Sequence, residues 1–302
     1  MKIKDIKIHE VGMRDGLQME SDIIPTLTKI HWIEEIIKSG VDIIQLGSFV
    51  HPVKVPQMAD TDELFKHFKQ NEDYKNIIFS GLLLNEKGLE RAYNCDVALF
   101  CMGVSASETH SNKNTGMGVA EATERIINMA KDVINSGNTV QVSVQSAFGC
   151  GFEGNIPEEK VYNIIEKYLN AGIKNISLAD TAGHANPVKV ERMYNTIYAM
   201  DSTLELACHF HNTYGMGLAN CYAALNSGVK YFESAFGGLG GCPFTKLAAG
   251  NVCTEDLVHF LQNMEMRKDI EIENIINVTK EGCDFFKKEL PGFIYKSGPI
   301  KH

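Results

Sequence analysis

Two histidines separated by one residue, His209-Phe210-His211, close a predicted strand and are the first candidates for chemistry. Because side chains alternate along a strand, we expect both imidazoles on one face and Phe210 on the other. Imidazoles grouped in this way are suited to binding a divalent metal. Taken alone, such a pair is more often a packing or hydrogen-bonding pair, so the metal interpretation depends on its neighbours.

A second polar group, Arg14-Asp15-Gly16-Leu17-Gln18, follows the first predicted strand. It brings a cation, a carboxylate and an amide to one strand end, although Arg14 and Asp15 alone could be a surface ion pair in a turn. Asn251 follows Gly250 and could instead be a helix cap. A mixed nitrogen and oxygen set suits octahedral Mg²⁺ or Mn²⁺ better than a sulfur-rich zinc site. The candidate ligands are Asp15, His209, His211 and Asn251.

A glycine-rich segment from Gly237 to Phe244 contains Cys242. So many glycines favour a loop that can close over a ligand, and a thiol on it could then donate or accept a proton. The glycine spacing matches neither the nucleotide P-loop nor the dinucleotide fingerprint. A linker cysteine without a chemical role is the alternative interpretation.

Short apolar segments alternate with amphipathic stretches along the whole chain, which is typical of repeated βα units. The predicted strands are 6–12, 43–49, 76–83, 97–103, 139–147, 175–180, 205–211 and 231–237, and the predicted helices include 26–39, 58–69, 118–136, 157–170, 187–199 and 217–227. We expect a single (β/α)8 TIM barrel with additional C-terminal helices within 254–289, although an open doubly wound sheet is an alternative. The predicted catalytic domain is 1–289, followed by a loose C-terminal tail over 290–302. Catalytic groups of such a barrel lie at the C-terminal ends of its strands.

The net charge, the apolar runs and the cysteine spacing exclude several classes of protein. A net charge of −9 over 302 residues argues against a protein that reads the nucleic-acid backbone. No apolar run reaches the roughly 20 residues of a membrane span, and the N-terminus lacks the apolar core of a signal peptide. Eight scattered cysteines without a Cys-x-x-Cys pair favour reduced thiols. We therefore expect a cytoplasmic enzyme that binds neither nucleic acid nor membrane.

The combined motifs resemble the 3-hydroxy-3-methylglutaryl-CoA lyase family, which belongs to a metal-dependent barrel superfamily that also includes isopropylmalate and homocitrate synthases. The similarity extends over nearly the whole chain. It rests on 10–18, 48–50, 55–58, 178–181, 209–211, 237–243, 250–251 and 254–257. The Gly-Gly-Cys-Pro segment in particular resembles the lyases rather than the synthases.

This resemblance implies cleavage of 3-hydroxy-3-methylglutaryl-CoA to acetyl-CoA and acetoacetate, as in leucine catabolism, by a homodimer with a bound Mg²⁺ or Mn²⁺. In the family, the counterparts of Asp15, His209, His211 and Asn251 bind the metal, and Asp15 and His209 are expected to serve catalysis as well. The counterpart of Arg14 stabilises the enolate of the departing thioester, and that of Cys242 transfers a proton. The residues expected to contact the acyl-CoA substrate are Arg14, Gln18, Gln45, Ser48, Asp180, Thr181 and Glu255.

Two departures from the family pattern leave alternatives open. The family carries Glu where this chain has Gln45, which favours a weakly active paralogue that binds an acyl-CoA. Asn212 replaces the usual Asp and favours a condensing acyltransferase that joins acetyl-CoA to a 2-keto acid. The Cys242 segment argues against the acyltransferase.

Overall fold

A closed barrel of parallel strands forms the centre of the molecule. The computed structural model describes residues 6–69, 71–241 and 250–300. Within them, eight strands pair in sequence order and β8 closes against β1. The strands are β1 Lys7–Glu10, β2 Ile43–Ser48, β3 Ile78–Leu82, β4 Leu99–Ser105, β5 Thr139–Gln145, β6 Asn175–Asp180, β7 Glu205–Phe210 and β8 Tyr231–Ser234. The predicted TIM barrel is confirmed.

Helices cover the outside of the barrel. They are α1 Thr26–Ser39, α2 Thr61–Lys69, α3 Glu86–Asn94, α4 Glu108–Thr115, α5 Val119–Asn135, α6 Glu158–Asn170, α7 Pro187–Met200, α8 Gly217–Asn226, α9 Thr254–Asn263, α10 Ile272–Phe286 and α11 Ile294–Ser297. Because helices cover one face and the packed interior the other, strands such as β2, β4 and β6 are buried along their whole length. The apolar run of β4, without the alternation of a half-exposed strand, is a consequence.

The sequence pattern predicts most helices closely but misses α3 and α4. The bounds of α1 agree with the prediction at both ends, and the helix stops where Gly40 adopts a left-handed conformation with φ of 86°. The α4 sequence, ETHSNKNT, has no apolar face, so periodicity gives no signal for it. Its helix nevertheless follows β4 directly and reaches the barrel mouth.

The C-terminal segment packs on the barrel. As predicted, two helices, α9 and α10, lie within 254–289. The backbone N–H groups of Phe293 and Ile294 donate to the Asp256 carboxylate over 2.8–3.1 Å, which attaches the start of α11 to α9. The start of α11 is therefore attached rather than loose, and the domain boundary at 289 with its tail stays a prediction. None of the helices in the described ranges is long and apolar enough to cross a membrane.

Candidate metal and substrate site

Three side chains converge at the C-terminal end of the barrel. The Nε2 atoms of His209 and His211 lie 3.2 Å apart. Each also lies near Asp15 Oδ2, at 3.7 Å for His209 and 3.8 Å for His211. Asp15 comes from a π-helical turn after β1, and the histidines come from the end of β7, which β8 separates from β1. One carboxylate and two imidazoles therefore face a common point.

Glu233 fixes the orientation of His209. The two residues are register partners on β7 and β8, and His209 Nδ1 lies 3.0 Å from Glu233 Oε2. Burial opposes ionisation of Glu233, but the hydrogen bond and charge of His209 outweigh it and lower the pKa of Glu233 to about 2. An ionised carboxylate only accepts hydrogen bonds, so His209 carries its proton on Nδ1. In the neutral ring, the lone pair of Nε2 then faces Asp15 and His211.

Asp15 is ionised beside Arg14. Burial opposes ionisation, yet the Arg14 guanidinium and the two histidines together hold the pKa of Asp15 well below its usual range. Arg14 donates through one terminal nitrogen to Asp15 Oδ1 and through Nε to Gln45 Oε1. Gln45 is a buried residue of β2, so the strand fixes the position of this acceptor. Arg14 is thereby held in one orientation with its charge at the cavity.

Asn251 lies beside the cluster because the loop after β8 returns to it. An isolated bridge pairs the backbones of His211 and Asn251. Asn251 Nδ2 donates to Asp15 Oδ2 over 2.8 Å and to Leu239 O over 2.9 Å. Among the described residues, its buried Oδ1 has no hydrogen-bond partner. Gly240 approaches so closely that a Cβ there would lie 2.6 Å from Asn251 Nδ2.

The cluster borders a cavity of about 210 Å³ at the barrel mouth. On one side lie Arg14, Asp15, His209 and His211, together with Gln18 and Thr181. Thr181 Oγ1 also accepts from the backbone N–H of Ser146 over 2.9 Å. The other side chains that line the cavity include Met19, Val50, Leu82, Leu84, His110, Asn114, Ser143 and Gln145. The cavity thus combines charged side chains with apolar and neutral polar ones.

Four predicted substrate contacts do not line this cavity. Gln45 contacts Arg14 instead. Asp180 accepts from the backbone N–H groups of His184 and Ala185, so it shapes the loop after β6. Ser48 is fully buried, and its backbone bonds to Thr61. Glu255 accepts from Gly237 N over 3.0 Å behind the turn after β8.

Cys242 lies outside the described residues. The described chain reaches Gly241, which lines the cavity, and resumes at Gly250. The proposed role of the thiol consequently depends on the resemblance alone.

The sequence interpretation missed several residues at this site. Glu233 had a signal, since a carboxylate in the middle of a buried strand needs a partner. Ser143 on β5 follows the period-two alternation that leads to Gln145 and could have been found in the same way. Asn114 had none, because the polar segment that carries it gave no reason to expect a helix.

Comparison with known proteins identifies the family. A family model described as HMGL-like matches residues 5–281. The chain belongs to the HMGL-like family. The hydroxymethylglutaryl-CoA lyase of Bacillus subtilis is 35% identical over 288 residues, which cover 95% of each chain. A Pseudomonas aeruginosa relative, named 3-hydroxy-3-isohexenylglutaryl-CoA/hydroxy-methylglutaryl-CoA lyase, is 31% identical over 280 residues, with 93% of this chain and 92% of the relative covered.

A solved member of the HMGL-like family has the same fold. The HMG-CoA lyase of Acinetobacter baumannii, in complex with coenzyme A and 3-methylmalate, aligns with a TM-score of 0.92 at 36% identity. The alignment covers 100% of this chain and 97% of that one. Similarity at this level extends to the whole barrel.

Proposed function

We propose that this chain is a divalent-metal-dependent lyase that cleaves 3-hydroxy-3-methylglutaryl-CoA to acetyl-CoA and acetoacetate. The observation that carries the proposal is the convergence of Asp15, His209 and His211 next to Arg14 in one cavity. Relatives named as this lyase align over 95% of the chain. The family resemblance and the geometry therefore point to the same reaction.

The donor set fits a divalent cation. One atom each from Asp15, His209 and His211 lie within 4.8 Å of one another. Asn251, whose Nδ2 donates to Asp15 Oδ2, has a buried Oδ1 without a hydrogen-bond partner among the described residues. For Asn251 to serve as a ligand, Oδ1 has to turn toward the cluster, where Nδ2 now bonds to Asp15. A bound Mg²⁺ or Mn²⁺ supplies Lewis acidity toward the substrate hydroxyl and carboxylate.

Arg14 acts where negative charge develops. In the cleavage, the Cys242 thiolate, assigned as the base from the resemblance, takes the proton of the 3-hydroxyl. The C2–C3 bond then breaks, and its electron pair moves to the thioester carbonyl oxygen as an enolate. A guanidinium that is already oriented by Gln45 and Asp15 stabilises this oxygen more than the neutral carbonyl of the substrate. Protonation of the enolate carbon then gives acetyl-CoA, and we assign that proton to Cys242 from the resemblance.

The remaining predicted residues fall into two roles. Gln18 and Thr181 line the cavity, and we assign them to substrate contact. Gln45, Ser48, Asp180 and Glu255 support the site from behind, because their described contacts are with protein groups. In the same proposal the enzyme is a cytoplasmic homodimer of leucine catabolism.

Incubation of the protein with 3-hydroxy-3-methylglutaryl-CoA and either Mg²⁺ or Mn²⁺ tests the reaction. We expect acetoacetate and acetyl-CoA in equal amounts, and chelation should stop their formation. If the protein instead releases the free thiol of coenzyme A when it is incubated with acetyl-CoA and a 2-keto acid, the chain is a condensing acyltransferase. If the parent is inactive and Gln45→Glu restores cleavage, it is the weakly active paralogue.

A further inference from the structure

A buried lysine lies on the apolar face of α1. Lys29 shares this face with Trp32 and Ile36, at the spacing of successive helical turns. The side chain of Lys29 is only 2% exposed. Because a lysine is seldom buried in this way without a partner, the groups that it contacts indicate its role.

The partners of Lys29 belong to the segment between β2 and α2. Lys29 Nζ donates to Asp60 Oδ1 over 2.7 Å and to the carbonyl oxygen of Gln57 over 2.6 Å. Asp60 Oδ2 accepts in turn from Thr26 Oγ1, at the start of α1, over 3.1 Å. The carboxylate balances the buried charge, and the bond to Gln57 joins α1 to the motif 55–58. This motif is part of the family resemblance but has no role in the reaction proposed above.

Gln57 continues the connection toward the cavity. Its Nε2 donates to the carbonyl oxygen of Glu20 over 2.6 Å. Glu20 N donates to Leu17 O over 3.1 Å, which closes the turn 17–20. Gln18 and Met19 of this turn line the cavity, and the buried Oε1 of Gln18 has no hydrogen-bond partner among the described residues. Two successive hydrogen bonds therefore link α1 to a turn that faces the substrate.

The charged side of the cavity has attachments of its own. Arg14 bonds to Gln45, and His209 bonds to Glu233. Neither bond involves α1 or the motif 55–58. Loss of the bonds to Gln57 should therefore shift the turn 17–20 and leave these charged side chains in place.

We propose that Lys29 is a positioning residue for substrate binding, because through Gln57 it holds the turn 17–20 against the cavity. The inference rests on the function proposed above, which assigns Gln18 to substrate contact. Lys29 does not line the cavity, so it acts on the substrate only through this turn. Contacts of the turn with the substrate change its binding more than the cleavage step, which depends on Arg14 and the metal ligands.

The test measures KM and kcat for 3-hydroxy-3-methylglutaryl-CoA with saturating Mn²⁺. Gln57→Leu removes the bond to Glu20 and should raise KM about tenfold, with kcat within about twofold of the wild type. Gln57 is partly exposed, so this variant should fold. The matched control is Gln262→Leu on α9, which removes a 2.8 Å bond from an amide to the carbonyl oxygen of Ile270. Gln262 does not line the cavity, and its variant should keep the KM of the wild type.

A second variant tests Lys29 itself. Lys29→Met is combined with Asp60→Asn, because a buried carboxylate left without its partner would destabilise the fold. This variant should also raise KM about tenfold, and addition of Gln57→Leu should raise KM no further, since both changes act on the same connection. Hydrogen exchange of the Glu20 amide, which closes the turn, should become faster in both variants but not in Gln262→Leu.

An unchanged KM in Gln57→Leu, or an equal increase in Gln262→Leu, would overturn this inference and leave the proposed function in place. An increase of about 100-fold in the combined variant would also overturn it, because Lys29 would then act independently of Gln57. If the wild type does not cleave the substrate, the proposed function fails and the inference fails with it.

Discussion

At the scale of single residues, the site depends on Glu233, which we assign as a positioning residue. Its carboxylate lies 3.0 Å from His209 Nδ1 and also accepts a 2.7 Å hydrogen bond from Ser177 Oγ. These contacts leave His209 with one ring orientation and one tautomer. Carboxylates in this position usually make the coordinating nitrogen a stronger donor.

Glu233→Gln should weaken Mn²⁺ binding by about 10- to 100-fold, because a neutral amide holds the protonated Nδ1 less strongly. Calorimetric titration of the purified variant with Mn²⁺ measures the change, and circular dichroism checks the fold. The control is Glu205→Gln, at the exposed start of β7, the strand that carries His209. Mn²⁺ affinity equal to that of the wild type would remove Glu233 from this role.

At the scale of elements, a buried carboxylate joins β1 to the turn after β8 and to α9. Glu10 accepts from Gly12 N over 2.6 Å, from Phe236 N over 3.1 Å and from Thr254 Oγ1. Burial is the main cause that raises the pKa of Glu10 from 4.5 to about 7, against these hydrogen bonds. The folded state therefore binds this proton more tightly than the unfolded state does.

The pH dependence of stability follows from this difference. The contribution of Glu10 to the free energy of unfolding is fully present below pH 4.5 and is lost as the pH rises through about 7. The loss is on the order of 3 kcal/mol, at about 1.4 kcal/mol per pKa unit. Glu10→Gln mimics the protonated side chain, so urea unfolding should show a smaller decrease between pH 5 and pH 8 than in the wild type. Parallel profiles for the two proteins would contradict the assignment, and the exposed Glu63→Gln should follow the wild type.

The N-terminal caps of α3 and α4 are alike, but only α4 lines the cavity. Ser107 caps α4 and Asn85 caps α3, each by accepting from a backbone N–H of the first turn. Replacement of either residue by Ala should lower the free energy of unfolding by about 1 kcal/mol. Only Ser107→Ala should also raise KM, because α4 lines the cavity and α3 does not. Equal KM values for the two variants in the acetoacetate assay would show that the position of α4 does not affect substrate binding.

At the scale of the whole molecule, closure of the barrel brings together residues that are far apart in sequence. Asp15 and Asn251 are 236 positions apart and share a hydrogen bond. The sequence predicts this meeting because each segment follows a strand, and the C-terminal ends of parallel strands lie at one end of a barrel. The arrangement of the barrel and of its polar cluster is thus encoded in the alternation of elements.

Other parts of the site could not be predicted, for physical reasons. A position at a strand end does not say whether a side chain faces the cavity or the loop backbone, and the Asp180 carboxylate accepts from loop N–H groups. The helix that carries His110 has no apolar periodicity and is held in place by Glu153, a contact 46 residues away from Ser107. Contacts of this kind depend on the tertiary fold rather than on a local pattern.

We expect one divalent cation to bind where the first, seventh and eighth βα units meet. Anomalous diffraction from a crystal soaked with Mn²⁺ locates the ion directly. The expected result is one strong peak coordinated by Asp15, both imidazole Nε2 atoms and Asn251 Oδ1. A peak at another place, or none in a crystal whose protein still produces acetoacetate in the presence of chelator, would contradict it.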